Sequence, residues 1–167
     1  MQKLTSLSLI FMLLAFIACN NEASLKNKIS SQEKQLYDNN EQAFNEELMD
    51  DLSDNYTKFA NKYPGDSLAA EYLFKAADIN MNMAEDETAL EHLDKILQDY
   101  PDFEKRAEAM FLKGYIYENY QKDLAQAEEL YKTFLEQYPN HEFADDAEMS
   151  LKYLGKSPEE LVKQFEK

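Results

Sequence analysis

Residues 107–139, AEAMFLKGYIYENYQKDLAQAEELYKTFLEQYP, read as two antiparallel helices with a break between them. Met110, Phe111, Gly114 and Tyr117 recur at helical spacing in the first half. Ala127, Leu130, Tyr131, Phe134, Leu135 and Tyr138 do so in the second, and Pro139 ends it. Gly114 and Ala127 are small where the two helices must approach, with large aromatics on either side. A helical hairpin of this kind cannot bury both of its faces alone, so it needs a neighbour.

The chain supplies a copy. One repeat length upstream, Ala70, Leu73, Phe74 and Ala77 fall on Ala107, Met110, Phe111 and Gly114. With one extra residue allowed in the second turn, Ala89, Leu93, Ile96 and Leu97 fall on Ala127, Tyr131, Phe134 and Leu135. Three of the 4 prolines lie in Tyr63-Pro64, Tyr100-Pro101 and Tyr138-Pro139, and Leu52, Tyr56 and Phe59 precede the first in the same register. This period indicates a helical solenoid. The pattern resembles the tetratricopeptide repeat, with its small residue and aromatic on the first helix (Gly114, Tyr117), its alanine early in the second (Ala89, Ala127) and its closing proline. Ala77 and Asn80 stand where that repeat usually has glycine and tyrosine. The resemblance implies an all-α, tetratricopeptide-type solenoid of helical hairpins.

With 167 residues, 33 acids against 17 Lys and Arg, a formal charge of −16 and 3 glycines, the chain fits one all-helical body. Nucleic acid is excluded as a partner, because phosphate contacts need clustered basic residues and none occur. The start is of another kind. Lys3 precedes a wholly apolar run, Leu9 to Ala18, too short for a mature membrane span and typical of a secretory signal. Phe16-Ile17-Ala18-Cys19 resembles the bacterial lipoprotein signal, which implies that Cys19, the sole cysteine, is lipidated and becomes the new N-terminus. No intrachain disulfide is then available, and packing alone must hold the body. By resemblance to lipoprotein sorting in two-membrane bacteria, Asn20 favours the outer membrane, facing the periplasm.

The expected organisation is a signal peptide over 1–18, a lipidated Cys19 with a polar tether over 19–40, and a repeat domain over 41–167. The helices fall at about 41–62, 68–83, 88–100, 103–120, 124–138 and 141–154, with Asp66 or Ser67, Asp102 and Asp123 as caps. Ser157-Pro158-Glu159-Glu160 combines an N-cap, a first-turn proline and a capping-box glutamate. It opens a seventh, C-terminal capping helix that offers Leu161, Val162 and Phe165 to the last repeat, whose apolar face would otherwise be bare.

Enzyme chemistry finds no support. Ser31-Gln32-Glu33-Lys34 fits S-x-x-K but lies in the polar segment with no companion K-T-G. His92 and His141 lie on different helices without metal-ligand spacing. Glu85-Asp86-Glu87 and Asp145-Asp146-Ala147-Glu148 lack the spaced oxygens and glycine of a calcium loop. No cofactor and no metal are called for, and Met81, Met83, Met110 and Met149 read as core fillers.

The lipoprotein signal with Tyr-Pro-closed repeats resembles two families of envelope proteins. One is the repeat lipoprotein of the outer-membrane β-barrel assembly machinery. The other is the repeat protein that accompanies the Tol-Pal system in cell division. For tetratricopeptide arrays the resemblance implies a concave groove lined by first helices. Here it would carry Phe74, Asp78 and Met81, then Glu108, Phe111, Tyr115 and Glu118, then Asp145, Glu148 and Lys152. Phe74 and Phe111 also suit plain inter-repeat packing, and Tyr115 falls off the stripe made by Gly114 and Tyr117. The function expected is a non-catalytic, membrane-anchored protein-interaction scaffold of the cell envelope with a protein or peptide partner. A lipid-anchored helical hydrolase or sugar-binding lipoprotein is the alternative.

Overall fold

The structure, a computed structural model, describes residues 21–36 and 45–156. Seven α-helices are present among them: α1 (21–36), α2 (Glu46–Lys62), α3 (Ala69–Asn82), α4 (Asp86–Asp99), α5 (Arg106–Ile116), α6 (Leu124–Gln137) and α7 (Ala144–Tyr153). The class is the expected one, all-α and tetratricopeptide-type. The Tyr-Pro pairs repeat down to single hydrogen bonds. Tyr63, Tyr100 and Tyr138 end α2, α4 and α6 at φ −129°, −126° and −130°, off the helical region, as a residue before proline must be. Each still donates its N–H to the carbonyl four residues back, of Phe59, Ile96 and Phe134. Each tyrosine carbonyl then accepts from the residue three on: Asp66 (3.0 Å), Phe103 (3.1 Å) and His141 (3.1 Å). The carbonyls of those three accept from Ala69, Arg106 and Ala144, where α3, α5 and α7 begin.

This shared turn moves two helix starts. α5 begins at Arg106 and not at 103, because Asp102 lies inside the Tyr100 turn and caps nothing; α7 begins at Ala144, not at 141. Asp66 and Asp123 act as expected, accepting from Leu68 and Gln126 N–H groups at 2.9 and 3.1 Å. α4 starts two residues early, at Asp86, and the break before it is made by Ala84 at φ 58°. Gly155, at φ +72°, ends α7 as a left-handed residue should. The signal peptide, Cys19 and the capping helix after Ser157 lie outside the described residues.

The chain forms two compact units, with the boundary inside α3 between Ile79 and Asn80. In the first, the tether reading is corrected. Residues 21–36 form α1, packed antiparallel on α2, and so supply the first-helix partner that α2 lacked in the sequence. Ile29 is fully buried, which is worth about 1.5–3 kcal/mol. Leu25 and Leu36, half-buried, continue its stripe, and polar contacts add to it. Gln32 Oε1 accepts from Asn55 Nδ2 (2.9 Å), and Glu33 Oε1 accepts from the Tyr56 hydroxyl and from Lys75 Nζ (both 2.7 Å). Lys26 donates to Asp66 (2.7 Å) and lies 5.2 Å over the Phe59 ring. Beneath these, Tyr72 of α3 meets Tyr56 and Phe59 of α2 at 5.0 and 4.9 Å.

The second unit holds α4 to α7, each packed on its neighbour in sequence. Ala107, Met110, Ala127, Tyr131, Phe134 and Ala147 form its core, with Phe111, Leu130, Leu135 and Leu151 packed around them. Arg106 joins three helices, donating to the Tyr138 hydroxyl (2.8 Å) and the Leu97 carbonyl (3.2 Å). A Lys113–Asp94 ion pair adds a second link between α5 and α4.

Candidate partner-binding surface

The extra residue of the second repeat has a definite place. In repeat one the left-handed Ala84 follows Asn80 by four positions, and Glu85 donates its N–H back to the Asn80 carbonyl at 2.8 Å. In repeat two the left-handed Lys122 follows the matching Tyr117 by five, and Asp123 donates back to Tyr117 at 2.9 Å. The insertion widens the last turn of the helix into a π turn, Tyr117–Gln121. After it the two repeats are again in register. Such widened turns recur at functional sites because they re-aim the side chains that follow.

The proposed groove residues separate into two sets here. Phe111 is half-buried among Phe143, Tyr131 and Phe134 rings at 4.9, 5.6 and 5.8 Å. It is packing. Glu118 turns inward and accepts from the buried Tyr131 hydroxyl at 2.8 Å. Desolvation, and after it that carboxylate, push the Tyr131 pKa well above the usual phenol value. Glu108 points Oε2 at His141 Nε2, 3.6 Å away, and that oxygen is sealed from solvent. Both acids therefore face into the fold, Glu118 through a hydrogen bond and Glu108 through the longer approach to His141. Tyr115 stays open, 37% exposed, and meets Tyr120, 44% exposed, edge to face at 5.9 Å. Asp145, Glu148 and Lys152 are exposed on α7. Phe74, Asp78 and Met81 lie along α3 at i, i+4 and i+7, with Phe74 and Met81 half-buried. Asp78 is open by area, but protein crowds its carboxylate and desolvation raises its pKa.

Among the described residues, Glu108, His141 and Glu142 bring three donor atoms within 4.8 Å of one another. The imidazole does not suit a metal. His141 Nδ1 accepts the Phe143 N–H at 3.2 Å, which leaves the proton of the neutral ring on Nε2, facing Glu108. Metal-bound histidines place that proton on the other nitrogen, donating outward.

The chain matches the outer membrane lipoprotein family YfiO over residues 29–157, well over half its length. It belongs to that family. YfiO-family membership agrees with the repeat architecture and with a lipoprotein of the outer membrane. The match opens inside α1, at Ile29, and so includes the second half of the helix that reads as tether in the sequence. No curated protein and no solved structure matches the chain.

Sequence reasoning missed the α1 clasp and the surface built by the π turn. Each had a signal. Leu25, Ile29, Gln32 and Leu36 follow a 4-3-4 spacing with a glutamine at one inward position. The offset of one residue between the two hairpins marked the second.

Proposed function

We propose that this chain is a non-catalytic scaffold of the cell envelope, anchored by lipid on Cys19 to the outer membrane on its periplasmic side, whose repeats hold a protein partner during envelope assembly or cell division. The family match supports the class and the compartment. The observation that carries the binding role is Tyr115. Its neighbours along the helix, Phe111 and Glu118, are engaged in the fold, whereas the Tyr115 ring, among the described residues, meets another exposed tyrosine. Exposed rigid aromatics are efficient anchors for a partner. The rival reading as a hydrolase gains nothing from the tyrosine hydroxyls that face carboxylates. Tyr131 with Glu118 and Tyr56 with Glu33 sit in packing positions.

A photo-crosslinking residue placed at position 115 in cells should trap one defined envelope protein, and one at the exposed Lys132 should not. No adduct at 115, or the same diffuse set at both positions, would overturn the reading.

A further inference from the structure

The second hairpin departs from the first in two ways at once: one more residue in the turn, and a tyrosine before and within the widened part. Asp78 of repeat one stands where repeat two has Tyr115, and repeat one closes its turn one residue sooner. Tyr115 and Tyr120 are five positions apart. In an α-helix of 3.6 residues per turn, the second would lie about 140° round from the first, and the rings would diverge. The π turn spaces its bonds five residues apart, as Lys122 shows by donating its N–H to the Tyr117 carbonyl, and so it turns less with each residue. Tyr120 is thereby brought back toward the face of Tyr115, and the two rings meet edge to face at 5.9 Å.

The packing of the hairpin does not require the wider turn, since repeat one joins the matching helices with one residue fewer. The turn is nevertheless fastened. Glu118, its second residue, accepts from the Tyr131 hydroxyl at 2.8 Å, and Tyr131 is fully buried on α6. Asn119 donates its side-chain amide to the Tyr115 carbonyl at 3.1 Å. The left-handed Lys122, at φ 56°, closes it. The first of these contacts ties the turn to the core, and the other two act within it. We infer that the π turn presents Tyr120 beside Tyr115 as a two-ring anchor for the partner protein, and that Glu118 and Tyr131 are the residues that position it. That the rings hold a partner rests on the scaffold reading; that the turn pairs them does not.

Deleting Gln121 separates pairing from composition, because both tyrosines stay and the turn takes the length of repeat one. The full-length chain is read in two ways: by the nuclear Overhauser contact between the Tyr115 and Tyr120 rings in the purified protein, and by the adduct yield of a photo-crosslinking residue at position 115 in cells. The deletion should abolish the ring contact and lower the yield by roughly two- to tenfold, the range that one aromatic contact gives. The thermal midpoint should stay near that of the parent. Tyr120→Ala, which leaves the length of the turn alone, should lower the yield by as much. Glu118→Ala should lose ring contact and yield together, and Glu118→Gln, which still offers the Tyr131 hydroxyl an acceptor, should keep both. A ring contact that survives the deletion, or Glu118→Gln as defective as Glu118→Ala, would overturn the proposal. An adduct at 115 that forms equally in the deletion and in Tyr120→Ala would remove the two-ring anchor and leave the scaffold standing. No adduct in the parent would remove the scaffold reading, and the anchor with it.

Discussion

At the scale of single residues, the contact between Gly114 and Tyr131 sets the spacing of α5 and α6. A Cβ on Gly114 would lie 2.9 Å from Tyr131 Cε1 and 3.1 Å from Cδ1. The ring cannot retreat, since it is fully buried and its hydroxyl is held by Glu118. Gly114→Ala gains about 1 kcal/mol of helix propensity, but overpacking a filled core costs about 1–3 kcal/mol. The net effect expected is a loss of roughly 1 kcal/mol, read as a lower urea midpoint. Repeat one carries the opposite balance at the matching positions, Ala77 and Leu93, both buried. Tyr131→Leu placed on top of Gly114→Ala should therefore recover part of the loss. If the double variant were as unstable as the two single losses added together, steric complementarity would not be what ties these positions. The pairing of a small residue with a large one was legible in the sequence. The inward turn of Glu118 was not, because the extra residue of the π turn breaks the 3.6-residue spacing by which faces are assigned.

At the scale of elements, legibility follows the strength of the local constraint. Proline strongly disfavours the helical region for its predecessor by local sterics, so all three Tyr-Pro ends were readable. Helix starts depend on which N–H groups the preceding turn already uses, and Asp102 shows how an acidic residue in the right place can cap nothing. α1 escaped because hydrophobic periodicity is a record of apolar burial, and α1 joins a short stripe around one fully buried Ile29 to amides and charges. Its hold should therefore respond to acid. Partial burial alone would raise the Glu33 pKa, but Lys75 and the Tyr56 hydroxyl outweigh it and hold the carboxyl below its ordinary value of 4.5. A lowered folded-state pKa gives stability that is complete above the unfolded value and is lost as pH falls through the folded one. Amide protection across 21–36 should thus be full at pH 7 and decline below about 4.5, ahead of the α5–α6 core. Glu33→Gln should remove about 1 kcal/mol of local protection at pH 7, since partly exposed charge pairs are worth no more, and should flatten the decline. Uniform protection loss over both units would remove the clasp from consideration.

At the scale of the whole molecule, the proposed membrane contact is the lipid on Cys19. Among the described residues no helix is long and apolar enough to cross a bilayer, and the −16 charge is repelled by anionic lipid. Cys19→Ala should accordingly move the protein out of the membrane fraction or leave it uncleaved, and labelled palmitate should enter the wild type only. Lasting attachment takes at least two lipid signals, at about 0.8 kcal/mol per buried methylene. Palmitate entering the alanine variant as well would place the anchor elsewhere. The helix already present at residue 21 changes what a lipid on Cys19 would do. Asn20 lies between Cys19 and the first described residue of α1, and α1 is hydrogen-bonded to Tyr56 of α2 and Lys75 of α3. The lipid would act as a pivot and not as a leash. The first unit would turn about the membrane normal at a height set by α1, and a partner embedded in the same bilayer would be met on a narrow ring of positions. Confinement to a ring raises the effective concentration of each for the other with no contact added.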